Sequence, residues 1–145
     1  MNVFFYFFAT IFYNPADMDE RTLEILNRFY ASWDETRASF DDLITNHEGF
    51  ERLMPLREFI IDLERVGGKK LYRLGTSIHM LIISRSVDHG LRIDQKYIRI
   101  EAIGVNDFEV IMRDGEKMYR QYNVKDLKDP LITKLLQTLK DVLID

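Results

Sequence analysis

The chain has 145 residues, the usual size of one domain, with 46% hydrophobic residues, 30% charged residues and no cysteine. That composition excludes disulfides, thiolate catalysis, Cys-ligated zinc and iron–sulfur clusters. It suits a reducing compartment, so a cytoplasmic location is the expectation. The net charge of −4 is unevenly spread: residues 1–63 hold 5 Lys and Arg against 12 Asp and Glu, residues 64–99 hold 8 against 3, and residues 100–145 hold 7 against 9. This balance argues against a polyanion partner for the whole chain but leaves a local basic surface in the middle third.

Residues 3–13 are apolar and heavily aromatic, with Phe4, Phe5, Tyr6, Phe7, Phe8, Phe12 and Tyr13 among them. The run is shorter than the roughly 20 apolar residues of a helical membrane span. It lacks the basic start and small-residue cleavage site of a signal peptide. Three readings stay open for residues 1–17: a buried strand, a mis-assigned start upstream of Met18, or a surface segment that binds a partner.

Asn14-Pro15 marks a turn, after which Asp17 or Asp19 caps a helix. Leu23, Leu26, Phe29, Tyr30 and Trp33 fall at helical spacing along it. Residues 39–46 read as a short second helix, ended near Gly49. Leu53, Leu56, Phe59, Ile60 and Leu63 predict a third helix beginning at about Met54, since Pro55 is tolerated only in a first turn. Gly67-Gly68 should stop it.

The hydrophobic period then changes from that of a helix to that of a strand. Strands are expected at about 69–74 and 77–84, with Gly75 as the bend between them. Residues 80–83 are apolar on both parities, the pattern of a central strand covered on both faces. Residues 86–95 read as a polar loop, and residues 96–102 alternate again. Asp114-Gly115 is the strongest hairpin signal in the chain. A two-residue turn there predicts Arg113 opposite Glu116, Ile111 opposite Met118 and Glu109 opposite Arg120. Finally, Asp129 caps a helix with Pro130 at its first position. Its apolar stripe is Leu131, Ile132, Leu135, Leu136, Leu139, Val142 and Leu143. The expected fold is α+β in one unit, 1–145. N-terminal helices precede a four- to five-stranded antiparallel meander, and a C-terminal amphipathic helix packs on the sheet. Several small single-strand-binding modules share a meander followed by one helix, an analogy of topology without a shared motif.

Candidate chemistry is sparse. His47-Glu48-Gly49-Phe50-Glu51 resembles a zinc-protease signature with its second histidine replaced, and a polar helix terminus is the plainer reading. Asp41, Asp42, Glu48 and Glu51 could gather around a hard cation, yet such charges usually mark a solvated helix face. Ser84, Ser86, Asp88 and His89 supply triad residue types too close together to take triad geometry, and a polar turn accounts for them. No phosphate-binding loop or dinucleotide fingerprint occurs. No metal or cofactor is therefore expected.

The best candidate site is a basic binding surface made by Arg73, Arg85, His89, Arg92, Lys96, Tyr97 and Arg99, with Lys69, Lys70 and Tyr72 nearby. Clustered Arg and Lys can hold phosphate or an acidic protein patch. The plainer alternative is that these charges pair with the acidic helices of the same molecule. The expected function is that of a small protein-interaction or regulatory domain without catalytic activity. The alternative is a binder of a phosphate-bearing ligand or single-stranded nucleic acid through residues 69–99. A protein partner is expected, no membrane span is, and a homodimer is one form the assembly could take.

Overall fold

The computed structural model describes residues 19–87, 95–142 and 144. Helix α1 runs Glu20–Asn46 and begins where the Asp19 side chain accepts a 2.7 Å hydrogen bond from the Thr22 amide. That bond holds the Asp19 carboxyl below its ordinary range. The two expected N-terminal helices are thus one. Residues 34–38 contain no Gly or Pro to break the ladder, and Thr36 and Phe40 are buried on the face that Trp33 begins. A short 3₁₀ turn, Glu51–Leu53, leads into α2, Met54–Arg65, with Pro55 in its first turn as expected.

The two glycines that end α2 act differently. Gly67 takes the left-handed backbone at φ +88°. A Cβ on Gly68 would lie 2.7 Å from Leu63 Cγ and 2.8 Å from Leu63 O, so only glycine fits there. A one-turn helix α3, Gly68–Leu71, follows where the first strand was expected to begin.

The sheet is a five-stranded antiparallel meander in the order β1 (Arg73–Ser77), β2 (Met80–Ser84), β3 (Lys96–Gly104), β4 (Asp107–Asp114) and β5 (Lys117–Val124). Gly75 is not the bend. It sits inside β1 opposite Ile82, and the chain turns at Ile78-His79. Ile78 adopts φ +59°, a strained value for a β-branched residue, and is 80% exposed. No composition signal predicts a left-handed isoleucine, which is why the turn was misplaced.

The β4–β5 register also differs from expectation. Asp114 faces Lys117, so the two turn residues are Gly115 and Glu116. Gly115 has φ +65°, and Glu116 is not left-handed, the sign pattern of a type II′ turn. A bulge between Met112 and Arg113 shifts the ladder again, so that Met112 faces Arg120, Ile111 faces Gln121 and Glu109 faces Asn123. The expected cross-strand pairs of Arg113 with Glu116 and Glu109 with Arg120 do not form in register.

The core lies on one face of the sheet. Leu74, Ile83, Ile98 and Met112 form one cross-strand row, and Leu81, Ile100 and Val110 the next. Helix α1 packs along β1, and α4, Pro130–Lys140, packs on β3 through Ile132, Leu135, Leu136 and Leu139. Asp129 caps α4 by accepting from the Leu131 amide at 2.9 Å. Tyr72 ties α1 and α4 to the start of the sheet: Trp33 Nε1 donates to its carbonyl at 2.9 Å, and its hydroxyl donates to the Leu136 carbonyl at 2.8 Å.

The other face carries the row Gly75, Ile82, Arg99, Ile111 and Gln121. Strand β2 is buried on both sides, since Ile82 is as covered as Leu81 and Ile83. Residues 1–17, for which a buried strand, a mis-assigned start and a partner-binding segment are the readings, and Leu143 lie outside the described residues. Among the described residues, no helix is long and apolar enough to cross a membrane.

Candidate functional site

Five of the residues singled out from the sequence as a basic surface, Arg73, Arg85, Lys96, Tyr97 and Arg99, are among the described residues. Arg73, Tyr97 and Arg99 share the face of the sheet opposite α4, the face that also carries the buried Ile82 and Ile111. Lys96 has the opposite parity on β3, and its Nζ lies 5.3 Å from the centre of the Tyr119 ring. Arg73 Nη1 donates to the Val87 carbonyl. Arg85 is buried and donates through Nη1 to the Leu71 carbonyl at 3.1 Å. These two guanidiniums fasten the chain after β2 to the chain around the start of β1. Arg99 Nη2 lies 3.4 Å from Glu109 Oε1. Lys69 Nζ lies 3.4 Å from Glu64 and 3.8 Å from Asp34. His89 and Arg92 lie outside the described residues.

The remaining candidates also resolve into structure. Helix α1 ends at Asn46, and Gly49 has φ +85°, so His47 and Glu51 do not share a helical face. His47 Nε2 instead approaches Asp42 at 3.5 Å. Asn46 donates to Asp42 at 2.8 Å, and that bond lowers the Asp42 pKa, with the His47 charge adding to it. No three His, Asp or Glu side chains converge as metal ligands among the described residues. Ser84 and Ser86 are both buried, while Asp88 and His89 lie outside the described residues.

A concavity with apolar walls lies elsewhere, between α2, α3 and α4. It is a cleft of about 460 Å³ walled by Leu63, Val66, Leu71, Ile132 and Leu136. Asp62, Lys128 and Lys140 stand at its rim. Gly68 lets α3 press against Leu63, which sets one wall. The Asp129 cap starts α4 at the depth of the other. A second, more polar cleft of about 440 Å³ adjoins the first and shares Phe59, Asp62, Leu127 and Lys128 with it. Together they form a groove along α2 with an apolar end and a charged end.

Tyr72 lines the apolar end. Burial pushes its hydroxyl up to about 12, and the nearby Arg85 charge only partly opposes that. With its proton held on the Leu136 carbonyl, Tyr72 is a neutral donor at physiological pH and a poor general base. Apolar walls, few polar groups and an open mouth suit binding of an apolar side chain or helix face better than bond-making chemistry. Sequence reasoning missed this site because its walls come from three helices and from Tyr72. Its one local signal is Val66, an aliphatic residue at the end of α2 that is 67% exposed.

Comparison of the chain with family models, with curated proteins and with solved structures gives no match.

Proposed function

We propose that this chain is a cytoplasmic protein-interaction domain that acts by binding rather than catalysis, and that a partner protein seats an apolar anchor in the cleft between α2 and α4. The observation that carries this reading is the cleft itself: about 460 Å³, with aliphatic walls from Leu63 to Leu136 and an exposed Val66 at its mouth. Interfaces of this kind draw most of their affinity from a few apolar side chains buried in such a recess. The charged end beside Glu58, Asp62 and Lys128 would orient the partner. The alternative reading, a phosphate-bearing or nucleic-acid ligand on residues 69–99, has weaker support. Arg73, Arg85, Arg99 and Lys69 each have a partner within the molecule.

Val66→Arg and Thr133→Arg place a charged stem at the cleft without touching the core. The expected result is that a partner recovered from source cells with the native chain is lost with either variant, while both variants keep the native melting midpoint. Recovery of the same partner by both variants would remove the cleft from the interface.

A further inference from the structure

The register of the β4–β5 hairpin has a chemical consequence. Arg113 and Arg120, which would face carboxylates in the simplest hairpin, face Met118 and Met112 instead. Arg120 lies over the Tyr119 ring at 4.8 Å and Lys96 at 5.3 Å, so one half-exposed tyrosine carries two cations. No carboxylate lies within ion-pair distance of Lys96, Lys117 or Arg120 among the described residues. Asp114 stands in register between Lys96 and Lys117 without ion-pairing to either, and Glu116 lies in the turn, both exposed. The four cations here still outnumber them. In contrast, the arginines of α1 and α2 pair with acids, such as Arg37 with Glu64 at 3.0 Å and Arg65 with Asp62 at 3.2 Å.

The same strand ends the sheet. Strand β5 has eight residues and, among the described residues, pairs only with β4 and leaves one row of backbone donors and acceptors open. At the opposite end of the strand order, β1 has α1 packed along it.

We propose that β5 is a second docking edge, which takes an extended acidic segment of a partner protein as a sixth, hydrogen-bonded strand. The partner backbone satisfies the open row, as in strand addition generally, and its carboxylates meet Lys96, Lys117 and Arg120 beside Tyr119. A peptide is the occupant because only a peptide backbone matches that row of donors and acceptors. A nucleic acid would use the cations alone. Cations on an edge strand also discourage self-pairing, since two copies of β5 would bring Lys117 and Arg120 against like charges. This site is separate from the α2–α4 cleft and stands or falls independently of it.

The test uses the full chain and labelled decapeptides read by anisotropy at low salt. A peptide alternating Glu and Val should bind. A Lys and Val peptide should not, and N-methylation of alternate amides in the acidic peptide should weaken it at least about tenfold. The Lys96→Ala/Arg120→Ala double variant should lose at least about tenfold in affinity, and Tyr119→Ala should also weaken binding. Each variant is checked for an unchanged melting midpoint. Hydrogen exchange should slow at β5 amides in the complex. The proposal is overturned if the acidic peptide does not bind, if the double variant binds it equally, or if N-methylation has no effect. A thymidine decanucleotide that binds more tightly than the peptide would also overturn it, and would point to a nucleic-acid surface. Val66→Arg should leave peptide binding unchanged, and its loss there would mean the peptide uses the cleft.

Discussion

The two faces of the sheet hold together by different means. On the helix-covered face, neighbours across the strands are aliphatic: Leu74, Ile83, Ile98 and Met112 in one row, Leu81, Ile100 and Val110 in the next. On the other face, Ile82 and Ile111 are also buried, but Arg99 stands between them, and Glu101 faces Glu109 directly. That like-charge pair is offset by His79 near Glu101 at 3.4 Å, and by Arg99 and Gln121 on Glu109 at 3.4 and 3.2 Å. A face packed by shape tolerates few changes of volume. A face laced by charge pairs gains little from each pair.

The largest expected effect tests the covered face at its helical boundary. Trp33→Ala removes a fully buried ring and leaves the Tyr72 carbonyl without its donor. It should cost about 3–5 kcal/mol in urea unfolding. A sharper version compares adjacent residues on β2. Leu81→Ala should cost about 2–5 kcal/mol. If Ile82→Ala costs the same, the outer face is a second core; a loss below about 1 kcal/mol would confine the core to one side.

The covered face also predicts a response to alkali. The Tyr72 pKa rises on folding from 10.0 to about 12, so the folded state holds the proton more tightly. Stability is therefore unaffected below pH 10 and falls as pH rises from about 10 to 12, by on the order of 2–3 kcal/mol. A Tyr72→Phe variant should lack that component when the two pH profiles are subtracted.

Smaller effects belong to the rim and the charged face. Ile78→Gly removes a left-handed isoleucine and should raise stability by about 1 kcal/mol. A destabilised Ile78→Gly would mean that the exposed side chain makes a contact worth more than the strain. Arg99 and Glu109 should couple by only about 0.2–1 kcal/mol in a double-mutant cycle, because both side chains are a quarter exposed.

Elements governed by local chemistry were legible in the sequence. The Asp129-Pro130 start of α4, the Met54 start of α2 and the stop at Gly67-Gly68 depend on residues within one helical turn. The meander followed from the two-residue apolar period. Features set by tertiary contact were not legible. The continuity of α1 rests on Thr36 and Phe40 finding cover, and the first hairpin turns at an isoleucine that nothing local favours. The turn at Gly115-Glu116, together with the bulge beside Met112, moved Arg113 and Arg120 away from the carboxylates that the simplest register would have matched to them. The charge of the middle third was legible in the sequence, while the partners of its arginines were set by tertiary contacts. Arg73 and Arg85 donate to backbone carbonyls, whereas Lys96 lies over the Tyr119 ring of the β4–β5 hairpin.

The molecule has a single tryptophan, and that indole hangs from Tyr72, whose hydroxyl holds the C-terminal helix. Its emission therefore reports on helix α4, some hundred residues away in the chain. A ligand that pries α4 from the sheet should redden and quench the Trp33 signal before any strand melts, so the protein carries its own optical gauge of that latch.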